Sequence, residues 1–112
     1  MFIASNIAIT GMNVAALRLQ VSADNVANAY SDSYRPLRVN QVANRDGSTG
    51  AFLSAVKPNV AFATRDGMPV RPNVSLATEL FQQFLARYTS AANAQVVRTD
   101  ARMTAALLDT MA

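Results

Sequence analysis

The feature that most constrains this chain is a long segment near its C-terminus without a helix breaker. Residues 75–111, about 37 in all, contain neither glycine nor proline, whereas an average helix has about 11–12 residues. Asn73 or Ser75 can cap the segment, and Glu79 lies where the helix dipole favours a negative charge. The segment therefore predicts a single helix, about 55 Å long at 1.5 Å per residue.

One side of this predicted helix carries a stripe that repeats every 11 residues. Its steps of three and four residues average about 3.67 residues per turn, which gives a nearly straight seam. The stripe consists of Phe81, Leu85, Tyr88, Ala92, Val96, Thr99, Met103, Leu107 and Thr110, and a second flank adds Leu80, Phe84, Ala91 and Leu108. Such a stripe is either the core face of one domain or a seam between subunits.

The N-terminal region also has a helical pattern, from about Ile3 to Ala29. Its apolar stripe, with Thr10 filling one position, is Ile3, Ile7, Val14, Leu17 and Val21. Gly11 interrupts the helix at a cost of about 1 kcal/mol relative to alanine, unless it lets another backbone approach closely. A helix of about 27 residues covers only about 40 Å. Because one such partner cannot bury both flanks of the longer helix, we expect other subunits to cover the remainder.

The middle of the chain has the pattern of a small β-structure. All four prolines lie between residues 34 and 72. Short β-prone segments occupy 37–42, 51–56 and 60–63, and turn signals occupy 45–50 and 65–67. We predict a hairpin or ribbon that needs contacts with the helices or with neighbours, because an isolated hairpin is marginally stable.

The predicted fold is therefore mainly α, with two long terminal helices packed as an antiparallel coiled coil or helical hairpin. The small β-hairpin or ribbon lies between them in the chain. We assign residues 1–33 to an N-terminal helix, 34–72 to a short β and loop segment, and 73–112 to a long C-terminal helix, all within one structural domain.

Composition argues against catalysis and against metal or nucleic-acid binding. The chain has no cysteine and no histidine, so it lacks thiolate ligands, disulfides and the commonest general base. The basic residues are dispersed, whereas nucleic-acid binding requires a cluster or stripe of them. We predict a protein that is not an enzyme and has no cofactor, no metal and no nucleic-acid partner.

The N-terminus does not have the pattern of a cleaved signal peptide. No basic residue precedes Arg18, and Asn6, Thr10 and Asn13 interrupt the apolar segment. By the same inspection, no stretch approaches the roughly 20 apolar residues of a membrane span, so we expect no direct span.

A motif near the N-terminus combines Leu17-Arg18-Leu19 with residues 21–29, and Tyr34-Arg35 follows it. It resembles the Leu-x-x-x-Ala-x-Asn-Leu-Ala-Asn helix end, and the Tyr-Arg after it, of one known family, the flagellar basal-body rod and hook proteins. Asn25 and Asn28 can bond nearby backbone groups where the helix ends.

The C-terminal motif resembles the same family. Residues 72–80 are similar to its Asn-Val-Asp-x-x-x-Glu-Met segment, with Ser75 in place of Asp. Residues 92–99 and Met103 match its Ala-Asn-x-x-Val-x-x-Thr…Met run. The short middle segment is similar to that of the proximal-rod members.

The resemblance implies a structural rod subunit that assembles through its terminal helices. Its expected partners are other copies of itself, related flagellar rod proteins and the flagellar type III export apparatus, and its expected location is the flagellar basal body, reached by export to the periplasmic space. The predicted assembly interface comprises Ile7, Val14, Leu17, Val21, Asn25, Asn28, Phe81, Leu85, Tyr88, Ala92, Asn93, Val96, Met103 and Leu107. The alternative is a cytoplasmic helical adaptor or chaperone-like dimer.

Overall fold

The chain forms two long helices with a small β-hairpin between them, as its computed structural model shows. The structure describes residues 2–31, 34–56, 64–65, 68–69 and 74–112. In chain order the elements are α1 (Phe2–Ala27), β1 (Leu37–Ala43), β2 (Thr49–Ala55), β3 (Thr64–Arg65), β4 (Met68–Pro69) and α2 (Leu76–Met111). The predicted mainly α fold, with packed terminal helices and a short antiparallel sheet, is confirmed.

Helix α2 begins and continues as the absence of breakers predicts. Ser75 is the N-cap residue, and its hydroxyl accepts a hydrogen bond from the Thr78 amide at 3.4 Å. The helix has 36 residues and ends with the Ala112 amide donating to the Leu108 carbonyl. Asn73, the other candidate cap, lies outside the described residues.

Strands β1 and β2 form an antiparallel hairpin in which Leu37 faces Ala55 and Ala43 faces Thr49. The turn requires Gly47, whose φ of 82° lies in the left-handed region that glycine adopts without strain. Asp46 accepts hydrogen bonds from the hydroxyl and amide of Ser48, and these bonds lower the pKa of its carboxyl group. The third predicted β-prone segment, 60–63, lies outside the described residues.

The hairpin is fixed to α1 at the end that carries its turn. The Thr10 hydroxyl donates to the Ile7 carbonyl and accepts a hydrogen bond from the Thr49 amide at 3.0 Å. Gly47 lies against Ile7, because a Cβ placed on this glycine would come within 3.0 Å of the Ile7 Cδ1. Thr10, which fills a position in the apolar stripe of α1, thus supplies the polar contact that the edge of β2 needs.

The two helices pack antiparallel in a register marked by three contacts. The Ser5 hydroxyl donates to the Asp100 carboxylate near the start of α1. Gly11 lies opposite Asn93, and the Ser22 hydroxyl donates to the Glu79 carbonyl at 3.0 Å. Small and polar side chains at this contact allow close approach of the helices but bury little apolar area.

The resulting molecule is long and thin. It extends over 76 × 25 × 15 Å, and its radius of gyration is 19.5 Å, compared with about 13 Å for a compact chain of this length. The buried side chains of the two helices are Ala8, Val14, Ala15, Val21, Ser22, Asn25, Glu79, Ala86 and Asp100. Because these buried side chains form only one layer between the helices, most large apolar side chains stay in contact with water.

Helix α2 extends beyond α1 at its C-terminal end. Since Asp100 lies opposite Ser5, α1 reaches its first described residue, Phe2, within one turn, while α2 continues to Met111. About two turns of α2 therefore project past α1. Leu108 and Met111 in this projection are 64% and 84% exposed.

Helix α1 corrects the expectation that no segment matches a membrane span. By length and composition alone, Phe2–Ala27 is long and apolar enough to cross a membrane. Polar residues such as Asn6 and Asn13 interrupt the apolar residues of this helix, but its mean hydropathy over 18 residues is still high. The same criterion is met by mostly buried core helices of soluble proteins and by signal sequences near an N-terminus. Here 22% of the apolar window is buried, and the helix contacts both α2 and the hairpin.

Substitutions at Gly11 should show how closely the helices approach. A Cβ there would lie 2.6 Å from the Asn93 Nδ2, so in Gly11→Ala we expect the gain in helix propensity of about 1 kcal/mol to be cancelled by displacement of Asn93. Adding Gly11→Ala to Asn93→Ala should instead stabilise the chain by about 1 kcal/mol. Urea unfolding of the four chains tests this, and equal effects of Gly11→Ala in both backgrounds would contradict it.

Candidate functional site

The candidate site is an exposed apolar face that follows α2. We call the α2 flank the set Phe81, Leu85, Tyr88, Ala92, Val96, Met103 and Leu107. Apart from the half-buried Leu85 and the small Ala92, its members are 43–69% exposed. With Thr99 between Val96 and Met103, the flank follows the three- and four-residue steps of the predicted stripe, so a single straight partner could contact it throughout.

Helix α1 does not cover the α2 flank, because it packs on a different side of α2. The side chains of α2 that face α1 include Glu79, Ala86, Asn93 and Asp100. The flank residues Ala92, Val96 and Met103 line a shallow apolar groove of about 430 Å³, which is also bordered by Ala4 of α1. The stripe predicted as either a core face or a subunit seam is therefore not the core face of the isolated chain.

The predicted interface residues of α1 lie mainly inside the chain. Val14 and Val21 are 6% and 7% exposed, and Asn25 is completely buried. Ile7, Leu17 and Asn28 are half-buried, as is Asn93 of α2. Val14, Val21 and Asn25 are thus buried within the single chain, apart from the exposed α2 flank. Val21 and Asn25 lie beside β1 and α2.

Asn25 is the centre of a buried polar cluster where α1 meets the hairpin. Its side-chain amide pairs with the backbone of Leu37, donating to the carbonyl at 2.9 Å and accepting from the amide at 3.0 Å. The Tyr34 hydroxyl donates to the same Asn25 oxygen at 2.9 Å. The Asn25 side chain therefore joins the start of β1 to the end of α1 through hydrogen bonds.

Glu79 joins this cluster from α2. Its Oε1 accepts hydrogen bonds from the Arg38 guanidinium and from Asn25 Nδ2, the latter at 3.3 Å. The carboxylate is completely buried, whereas the Arg38 side chain is 27% exposed. A buried ion pair contributes little net stability, but removing one partner leaves a buried charge and is costly. We call Ser22, Asn25, Tyr34, Arg38 and Glu79 the polar junction.

The polar junction brings the two terminal motifs together. Asn25 and Tyr34 belong to the N-terminal motif, and Glu79 belongs to the C-terminal one. Asn25 was predicted to bond nearby backbone, but its partner is Leu37; Asn28 does bond locally, donating to the Asp24 carbonyl at 2.9 Å. The motif residues therefore position the hairpin and the start of α2 relative to α1.

Sequence reasoning missed Ser22 and Arg38 as members of this cluster. The signal that could have identified Ser22 is the series Ala8, Ala15 and Ser22 at intervals of seven residues, which places all three on one helix face. A face of small residues that ends in Ser22 and Asn25 indicates close packing with polar contacts. Nothing in the local sequence distinguishes Arg38 from the other arginines.

The polar junction predicts a loss of stability at alkaline pH. Burial raises the pKa of the Tyr34 phenol above its ordinary value of 10.0, and the charges of Asp24 and Glu79 raise it further. The folded chain holds the Tyr34 proton more tightly than the unfolded chain does. The stability that this difference contributes is fully present below pH 10.0 and is lost as the pH rises through the folded-state pKa. In urea unfolding from pH 8 to 11, Tyr34→Phe should be less stable at pH 8 and should lose less stability as the pH rises. Parallel curves would contradict this role of Tyr34.

The described residues offer no obvious metal site. Across residues 2–31, 34–56 and 74–112, no three or more carboxylate side chains converge to hold an ion. The chemistry of the two regions described above is instead that of protein contact, with apolar side chains on the α2 flank and matched hydrogen bonds in the polar junction.

Comparison with known proteins adds no assignment. No protein-family model matches the chain, and no curated protein matches it.

Proposed function

We propose that this protein is a structural subunit of the bacterial flagellar basal-body rod, which assembles through its terminal helices with copies of itself and with related rod subunits. The observation that carries the proposal is the α2 flank. Its large side chains other than Leu85 stay 43–69% exposed although α1 and the hairpin are packed elsewhere. An apolar surface of this length on a thin molecule indicates a partner.

The geometry of the α2 flank supports an extended assembly. The flank follows a helix of 36 residues, or about 54 Å. When a second copy lies along this flank but is shifted relative to the first, its own α2 flank stays free to bind a third copy. Contacts between unlike surfaces that do not close into a ring produce a helical filament, which is the geometry of a rod.

The resemblance of both terminal motifs to rod and hook proteins supports the flagellar rod as the filament that this chain forms. Its physical counterpart here is the polar junction, in which Asn25, Tyr34 and Glu79 of the two motifs make contact. In this role the chain is exported unfolded by the type III apparatus and lies in the basal body. A thin core without disulfides is compatible with such export, because little buried apolar area opposes unfolding.

Deletion of the gene in its native host, followed by electron microscopy of purified basal bodies, tests the proposal. We expect deletion to remove or truncate the rod, and re-expression of the chain to restore it. The matched measurement is fractionation of the wild-type protein with light scattering. A discrete dimer retained in the cytoplasm, together with intact rods in the deletion strain, would overturn the proposal and favour the helical adaptor.

A further inference from the structure

One oxygen of the polar junction has no donor among the residues that the structure describes. Glu79 Oε1 accepts from Arg38 and Asn25, but Oε2 is buried and lacks a hydrogen-bond partner in that part of the chain. A buried acceptor without a donor is costly, and more so when it carries charge. Such an oxygen in a cluster that is otherwise well paired points to a further ligand.

A small, half-open cavity has Glu79 among its lining residues. Its volume is about 10 Å³, and its walls include Arg18, Ser22, Glu79 and Gln82. This volume corresponds to roughly one water molecule and is too small for an organic ligand. A cation is disfavoured, because the Arg38 guanidinium already neutralises Glu79 and forms part of the wall.

The walls also supply the partners that a buried water needs. A buried water typically makes about three hydrogen bonds. Arg18 and Gln82 carry N–H donors, and the hydrogen bond from Arg18 to Gln41 is long, at 3.5 Å. The Ser22 hydroxyl donates to the Glu79 carbonyl and keeps lone pairs that can accept.

We propose that a single ordered water binds in this cavity, donating to Glu79 Oε2 and accepting from Arg18 or Gln82. The water links α1 with α2 beside β1, and it completes the hydrogen bonding of the polar junction. The water site depends only on the fold of the single chain, so its test is independent of the test of the proposed rod function.

The water can be observed directly in the full-length protein. A crystal structure at about 1.5 Å should show it about 2.6–3.2 Å from Glu79 Oε2. In solution, nuclear Overhauser cross-peaks should connect a slowly exchanging water with the amide protons of Val21 and Ser22. An empty cavity, a direct bond from Arg18 to Oε2, or the absence of these cross-peaks would overturn the proposal.

Paired variants give a second readout that does not need crystals. Gln82→Met removes a donor at the cavity wall, and Gln83→Met makes the same change one residue away, at another half-buried position. We expect Gln82→Met to lower the Tm more than Gln83→Met and to weaken the water cross-peaks, which Gln83→Met leaves intact. Unchanged cross-peaks in Gln82→Met, together with equal Tm values, would remove Gln82 as the water's donor. If Arg18→Met also left the cross-peaks unchanged, the proposed arrangement would be wrong.

Discussion

Replacing Asn25 by alanine is expected to lower the free energy of unfolding by about 3 kcal/mol. The side chain is completely buried and bonds with Tyr34, with both backbone groups of Leu37 and with Glu79. Alanine removes all of these bonds, so the buried Glu79 carboxylate and the half-buried Tyr34 and Leu37 groups lose this partner. For a chain of this size the Tm should fall by about 12 °C or more, as measured by circular dichroism on heating and in urea.

Asn28→Ala is the matched control for this substitution. Asn28 lies three residues further along the same helix end and is half-buried. Among the residues that the structure describes, its side chain bonds only to Asp24 and Ser31. Its loss should cost no more than about 1 kcal/mol. Equal destabilisation by the two substitutions would show that the polar junction does not hold the hairpin to the helices.

Hydrogen exchange gives a second test of the same cluster. The Leu37 amide donates to Asn25, and the Val56 amide donates to the Pro36 carbonyl at the same end of the hairpin. In Asn25→Ala both amides should exchange faster than those near the turn, which the Thr10–Thr49 contact still holds. Uniform acceleration along both strands would instead indicate global destabilisation without local release.

The elements of this fold are predictable because local signals define them. The absence of glycine and proline from residues 75–111 predicts α2 to within one residue of its observed start at Leu76. The turn around Gly47 and the alternation on both sides of it predict the β1–β2 hairpin. These signals act within a few residues, so sequence alone is sufficient for them.

The face of α2 that packs on α1 could not be predicted from the apolar pattern. Periodicity identifies the α2 flank, but the observed contact uses Glu79, Ala86, Asn93 and Asp100. Small side chains and paired polar groups allow the helices to approach closely, and each polar group needs a partner from a distant part of the chain. Sequence periodicity contains no information about such partners. Ser5 and Asp100, for example, share a hydrogen bond although they are 95 residues apart in the chain.

Asn25 shows the same limit within the polar junction. A helix-terminal asparagine usually bonds its own neighbourhood, as Asn28 does, so the local rule predicted the same role for both. The bond from Asn25 to Leu37 joins residues that are 12 apart in the chain, and the Tyr34 hydroxyl bonds the same asparagine from nine residues away. Such partners are set by the tertiary fold and not by the local sequence.

Placing charges on the α2 flank is expected to abolish assembly without unfolding the chain. In the double variant Val96→Asp and Met103→Asp, two carboxylates replace side chains that are 43% and 52% exposed in the single chain. The monomer can keep both charges in water, so its Tm should change little. An assembly that covers the flank must desolvate them without a partner, which should weaken association at least about 100-fold, or about 3 kcal/mol.

Phe52→Asp on the hairpin is the control, because Phe52 is apolar and 55% exposed but lies outside the α2 flank. Sedimentation velocity over a range of concentrations should show association of the wild-type chain and of Phe52→Asp, and only monomer for the double variant. In cells, the double variant should fail to restore rods in the deletion strain, whereas Phe52→Asp should restore them. Normal rods with the double variant would exclude the α2 flank as the assembly surface, and loss of rods with Phe52→Asp alone would place that surface on the hairpin.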